Sequence, residues 1–277
     1  MSRRGMAVAL GLALLSSPAD LAAQSGGDSR GADRARVPFG VGERLDYEVR
    51  LSGIRVGGGF MEVSKMDSIR GREAWHTSFG IKGGLAFYRV NDRYESWFDT
   101  RSLASLRYYQ QIDEGSYERE SRFEIYPDRR VFIDSKGTEQ PTAEDPLDDG
   151  SFLYFLRTIP LEVGKEYTFD RYFRLDRNPV RIRVLRRERV SVPAGTFDAV
   201  VVQPIIKTRG IFSENGRAEV WLSDDEHRIM LQMKSRFSRF SLNLFLKSFR
   251  LATNVGAAPR LTAVPTVPES LPASPPQ

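Results

Sequence analysis

The sequence predicts a mainly β protein: a large curved antiparallel sheet forming a closed or half-open barrel, with one helix packed on it. Three observations lead there. Apolar residues recur at every second position in runs between Val37 and Phe249. Turn-forming pairs separate those runs at hairpin spacing, and no strand–helix–strand crossover pattern interrupts them.

The runs begin with Leu45, Tyr47, Val49 and Leu51, which alternate with Asp46, Glu48 and Arg50. Successive side chains of a strand point to opposite faces, so each such run has one greasy face and one wet face. Trp75, Thr77, Phe79 and Ile81 repeat the pattern, followed by Leu106, Tyr108 and Ile112, then Phe123 and Ile125. Ala218, Val220 and Leu222 follow, then Ile229, Leu231 and Met233, and finally Phe240, Leu242, Leu244 and Leu246. Ser52-Gly53, Arg70-Gly71, Glu114-Gly115, Lys136-Gly137, Asn215-Gly216 and Ser223 to Glu226 supply turns. The spacing gives about eleven or twelve strands. One segment departs from the rhythm. Asp148 to Ile159 places Phe152, Leu153, Phe155, Leu156 and Ile159 at helical spacing, with Asp149 or Ser151 available as a cap and Pro160 as a stop.

Composition narrows the chemistry. The chain has 277 residues, 40% of them hydrophobic, with two histidines and no cysteine. Disulfides, thiol catalysis, iron–sulfur clusters and cysteine-based zinc sites are excluded. At the start, Arg3 and Arg4 precede the apolar stretch Met6–Leu15, and Ser16 to Ala19 break it, which reads as a secretory signal over residues 1–23. The apolar stretch would rise about 15 Å as a helix, half a bilayer, so no transmembrane anchor is expected after signal removal. Residues 24–36 are polar and glycine-rich and read as a disordered leader. Residues 253–277 form a disordered tail rich in Pro and Ala, leaving 37–252 as a single β-rich domain. The expected location is periplasmic or secreted.

Phe39 to Val49 (FGVGERLDYEV), the glycine-rich Ser52 to Gly59, Val192 to Ala199 (VPAGTFDA) and Val220 to Asp225 (VWLSDD) occur in an order and spacing similar to one known family. The chain resembles the domain-of-unknown-function 3108 (DUF3108) family of exported bacterial proteins. The resemblance implies a periplasmic or cell-surface β-rich domain with no assigned reaction, and supplies no catalytic residues. More loosely, a curved sheet with a helix on its concave face is similar to the periplasmic lipoprotein carriers, which hold acyl chains there.

Catalytic constellations are weak. Asp224, Asp225, Glu226 and His227 combine carboxylates with an imidazole, but their placement suits a solvated turn better than a metal site. His76 falls on a wet strand face, and no Gly-x-Ser-x-Gly elbow accompanies it. Asp145, Asp148 and Asp149 precede the helix, where carboxylates cap and complement its dipole. Gly57, Gly58 and Gly59 lead into Phe60-Met61-Glu62 rather than the Lys-Ser/Thr of a phosphate loop. The turn Lys82 to Phe87 carries apolar residues at its tip, as a lip at a cavity mouth would. No catalytic residue, metal ligand or cofactor is assigned.

Two features point to binding. Phe152, Phe155, Leu156, Phe169 and Phe173 cluster around the helix and the following strand as a hydrophobic ligand pocket or a packed core. Arg181, Arg183, Arg187 and Arg189 share one face of an unbroken strand, opposite Ile182, Val184 and Val190. That basic surface suits anionic headgroups, or is neutralised by Glu118, Glu120 and Glu124 on neighbouring strands. Export disfavours nucleic acid as a partner. The reading is a non-catalytic periplasmic binding module for a hydrophobic or amphipathic envelope molecule such as a lipid. The alternative is an envelope scaffold or assembly factor acting through contacts with envelope proteins, and a metal-dependent hydrolase ranks last.

Overall fold

The computed structural model describes residues 36–85, 88–207, 218–237 and 240–253. The expected signal, all but the last residue of the expected leader, all but the first residue of the expected tail, the Asn215-Gly216 turn and the Ala86-Phe87 tip lie outside those residues. In chain order the strands are β1 (Arg44–Leu51), β2 (Ile54–Ile69), β3 (Arg72–Leu85), β4 (Tyr88–Asp99), β5 (Ser105–Glu114), β6 (Tyr117–Tyr126), β7 (Val131–Asp134) and β8 (Glu139–Pro141). The helix α1 (Asp149–Phe155) follows, then β9 (Glu166–Phe169), β10 (Val180–Val192), β11 (Gly195–Ile205), β12 (Glu219–Ser223), β13 (Met230–Phe237) and β14 (Phe240–Arg250). The excess over the expected strand count lies in β7, β8 and β9, which are three or four residues long. Runs that short cannot display a two-residue period.

All fourteen strands form one antiparallel sheet in the order β8-β7-β6-β5-β4-β3-β2-β1-β14-β13-β12-β11-β10-β9. Chain neighbours pair through tight turns. Ser52 and Gly53 have φ of 47° and 89°, and Arg70 and Gly71 have 52° and 78°. Both residues of each turn are left-handed, which matches strand twist. The first and last strands, β1 and β14, also pair, so the free edges are β8 and β9, consecutive along the chain. The half-open barrel therefore has its seam in mid-sequence, and the segment joining β8 to β9 serves that seam. Thr142 N donates to Arg130 O (2.8 Å), Ser105 N to Pro146 O (2.7 Å) and Gly164 N to Val184 O (2.8 Å), while Leu147 forms a parallel bridge with Tyr172. These bonds tie the connecting segment to the turn before β7, to β5 and to β10.

Helix α1 sits in that segment and packs on β3 and β4. Its residues Gly150 to Phe155 are all buried, as expected of a helix enclosed on every side. The cap is Asp148 rather than the anticipated Asp149 or Ser151. Asp148 accepts from Gly150 N (2.8 Å) and Ser151 N (2.9 Å), and Ser151 Oγ takes the Asp148 N–H (2.9 Å), completing a capping box. The helix ends before Pro160 because Arg157 N and Thr158 N turn back to Tyr154 O and Phe155 O, tightening the last turn.

Below α1 the chain from Val37 to Gly40 is buried as a plug. The Phe39 ring meets Tyr154 (4.9 Å), Trp75 (5.7 Å) and Phe98 (6.1 Å) edge-on. Beside it lies a fully buried ion pair. Arg157 Nη1 and Nη2 donate to Glu43 Oε1 (2.6 Å) and Oε2 (2.9 Å), and Nη2 also reaches Pro38 O (2.8 Å) and His227 O (2.7 Å). Burial works against the guanidinium charge, but the Glu43 carboxylate overrides it, so the pKa of Arg157 rises above its ordinary value.

Strands β2 and β3 approach unusually closely at a pair of glycines. Gly57 pairs with Gly83, and a Cβ on Gly57 would lie 2.1 Å from Lys82 O and 2.6 Å from Gly83 Cα. A Cβ on Gly58 would approach Tyr47 O at 3.4 Å, an ordinary contact. Gly57→Ala should therefore destabilise the protein by about 3 kcal/mol, against within about 0.5 kcal/mol for Gly58→Ala, as measured by denaturant unfolding.

Candidate functional site

The strand registers place four inward residues in one row: Thr77 beside Ser96, Ser96 beside Tyr108, and Tyr108 beside Phe123. The next row toward the rim runs Phe79, Tyr94, Gln110 and Ser121. A polar strip thus crosses an otherwise greasy wall, and α1 explains half of it. Asp148 Oδ2 accepts from Ser96 Oγ (2.7 Å), its N–H also reaches Ser105 Oγ (3.0 Å), and the hydroxyls of Ser105 and Ser151 are 2.8 Å apart. Asp149 accepts from Tyr172 OH (2.7 Å) and Tyr108 OH (3.0 Å), and Arg177 Nη1 donates to Tyr172 OH (2.8 Å). Burial, reinforced by the Asp149 charge, raises both tyrosine pKa values far above normal, so they remain donors. The oxygens of Asp148 and Asp149 are engaged by groups that hold the helix in the seam.

The seam leaves an opening on its other side. Strand β6 pairs with β5 from Tyr117 to Glu124, whereas β7 covers only Phe123 to Tyr126. Among the described residues, Tyr117 to Arg122 present an open strand edge. Against it lies a cleft of about 420 Å³ lined by Tyr117, Arg119, Ser121, Phe123, Lys136 and Arg174, with Glu120, Asp134 and Ser135. Arg174 lies over the rings of Phe123 (5.3 Å), Phe173 (5.5 Å) and Phe132 (5.8 Å). Arg119 Nε donates to Ser121 Oγ at 3.0 Å. Asp134 is occupied by the N–H groups of Thr138 (3.0 Å) and Lys136 (2.9 Å), which hold its carboxyl below the usual range. Glu120 is hydrogen-bonded to the Tyr109 side chain. Among the described residues, no carboxylate lies within ion-pair distance of Arg119, Lys136 or Arg174. The cleft combines an aromatic floor, unpaired cations and carboxylates already taken.

The residues singled out from sequence distribute differently. Phe152, Phe155, Leu156 and Phe173 are buried in one continuous core, with Phe169 packed at its margin. Phe155 meets Phe169 edge-on at 5.0 Å, and Phe173 packs on Phe132 (5.2 Å) and Phe123 (5.3 Å). None of these five lines the cleft, although Phe173 forms part of its backing through Arg174. The basic stripe requires correction. An extra residue between Val184 and Arg186 shifts the register of β10 against β11, so side chains beyond it change faces. Arg181 and Arg183 therefore share a face with Arg186 and Glu188, whereas Arg187 and Arg189 lie on the opposite one. The neutralising acids also differ from Glu118, Glu120 and Glu124. Arg183 pairs with Glu166 (2.5 Å), Arg186 with Glu188 and Glu219 (both 2.9 Å), and Arg187 with Asp224 (2.8 Å).

His76 lies on the outer face, its Nε2 2.9 Å from Glu95 Oε2 and its ring stacked on Trp97 at 4.2 Å. At the β12–β13 turn, Asp225 Oδ1 accepts from Ser223 Oγ (2.7 Å), His227 N and Arg228 N (both 2.9 Å), while Asp224 turns to Arg187. No cluster of three or more His, Asp or Glu suited to a metal ion occurs among the described residues. No helix among them is long and apolar enough to cross a membrane.

The architecture defines a class: a half-open, single-sheet β-barrel-like protein with an internal helix. The chain belongs to the family described as "Protein of unknown function (DUF3108)", which matches residues 46–242. Among solved structures it is similar to the β-barrel-like protein of domain of unknown function DUF1849 from Brucella abortus, with 12% identity, a TM-score of 0.49 and coverage of 79% of this chain and 99% of that one. A structure described as a candidate lipoprotein from Parabacteroides distasonis is similar at 10% identity and a TM-score of 0.36, covering 78% of this chain and 99% of its own. No curated protein sequence matches the chain.

Two inward carboxyls carry a pH signature. Burial raises the pKa of Asp148 to about 6, and the hydrogen bonds from Ser96 and Ser151 offset that only in part. Burial likewise raises Asp92 to about 6, with Glu114 and Asp113 adding to the effect. Each folded-state value lies above the ordinary 3.8, so the folded protein holds these protons more tightly than the unfolded chain. Their stabilisation is complete near pH 4 and fades as pH rises through about 6. The midpoint of thermal unfolding should therefore rise as pH falls from 7.5 to 5, and Asp148→Asn should flatten that rise.

Proposed function

We propose that the protein is an exported, non-catalytic binding module that holds an anionic, amphipathic molecule of the cell envelope in the seam cleft. The observation that carries this reading is the set Arg119, Lys136 and Arg174 around the Phe123 floor, none of them within ion-pair distance of a carboxylate among the described residues. Arg174, half-buried beside the aromatic floor, attracts an anion more strongly than the exposed Arg119 and Lys136, which add to the positive field at the cleft. At about 420 Å³ the cleft falls within the size range of small-ligand sites. Support for the absence of catalysis comes from Asp148 and Asp149, whose oxygens serve the helix rather than facing an open pocket. Support for an envelope location comes from the signal-like Arg3 to Ala19.

A second reading, an envelope scaffold working through protein contacts, draws on one specific observation: the open edge of β6 adjoins the same cleft. Calorimetric titration with monomeric dodecyl phosphate tests the site. Saturable binding is expected to weaken at least about tenfold in the Arg119→Gln/Arg174→Gln double variant and to weaken with added salt. Equal affinity in the wild type and a folded double variant would remove the cleft from the account.

A further inference from the structure

We infer that the occupant of the cleft is an extended, acidic polypeptide segment that adds to the edge of β6 as a further strand; this rests on the cleft being the binding site. The backbone groups of Tyr117 to Arg122 that point away from β5 meet no strand among the described residues, because β7 reaches only as far as the Phe123–Asp134 pair. An incoming strand would occupy the lane that β7 vacates, above the turn carrying Lys136. Main-chain hydrogen bonds would supply affinity, and alternate side chains would be read separately by the two faces.

The two faces differ. On the cleft side, Arg174 stands over aromatic rings and Arg119 lines the same cleft, neither with an acidic partner among the described residues, with Lys136 at the end of the lane. On the outer side of β6 lie Glu118, Glu120 and Arg122, Glu120 also reaching the cleft rim. The matching segment therefore carries Asp or Glu at alternate, cleft-facing positions and uncharged residues between them. A second copy of β6 fits poorly, since it would bring its own Arg119 against the same cations. A strand also uses more of this lining than a headgroup with an acyl chain does: apart from the rings of Phe123 and Tyr117, it is made of charged residues and serines.

The test uses the full chain and a short capped peptide alternating aspartate with valine. Its controls are the same peptide with lysine for aspartate, the same peptide N-methylated at alternate residues, and monomeric dodecyl phosphate. Fluorescence anisotropy should show saturable binding of the aspartate peptide, at least about tenfold weaker for the N-methylated form and weaker still for the lysine form. Amide hydrogen exchange at Tyr117 to Arg122 should slow on binding. Equal binding of the N-methylated peptide, or no change in exchange at those amides, would overturn strand addition. Binding of dodecyl phosphate but not of the aspartate peptide would overturn this inference while leaving the cleft as the site. Binding of neither would remove both.

Discussion

The structure depends on one buried interaction, the fork between Arg157 and Glu43. Both side chains are almost wholly removed from water, so each charge would be intolerable without the other. The guanidinium also collects the carbonyls of Pro38 and His227, and its plane lies near the rings of Phe39 (5.4 Å) and Tyr154 (5.8 Å). One side chain thereby joins the N-terminal plug, 114 or more residues earlier in the chain, to the end of α1 and to the β12–β13 turn, 70 residues later. Arg228 adds to the knot by donating to the carbonyls of Arg157 (3.1 Å) and Ile159 (2.8 Å). Hydrophobic packing alone would bring these pieces together without fixing their register.

The knot matters because the sheet does not close. Pairing β1 with β14 moves the barrel's free edges to β8 and β9, and the chain between them must both bridge the gap and bury a short helix. The bridge is built from hydrogen bonds to strand edges, and the helix is held by carboxylates accepting from serines and tyrosines. That arrangement costs stability at neutral pH, as the elevated Asp148 shows, and leaves Tyr117 to Arg122 of β6 without a second strand neighbour among the described residues. The cleft, whose cations have no carboxylate partner among the described residues, is a consequence of how the seam is solved.

Much of the fold was legible in the sequence. The alternation around Tyr47, Phe79 and Leu244 reported inward faces correctly, because side-chain parity survives wherever the ladder is regular. The helix stood out because Phe152, Phe155, Leu156 and Ile159 break that parity. What failed did so locally. The extra residue at Leu185 carries no compositional mark, yet it turns Arg187 and Arg189 away from Arg181 and Arg183. The cleft was invisible because Arg119, Lys136 and Arg174 come from a strand, a turn and the strap after the helix, and only register brings them together. One signal was available: Arg157 stands alone in the apolar stretch Phe152 to Leu161, and a lone charge there requires a partner.

The most direct measurement is a double-mutant cycle on Glu43→Gln and Arg157→Met, read by equilibrium unfolding. Each single change should cost about 3–5 kcal/mol by stranding a buried charge, and the double variant should cost clearly less than their sum. Single variants within about 0.5 kcal/mol of the parent, or strictly additive losses, would contradict the claim that this pair locks plug, helix and sheet into one unit.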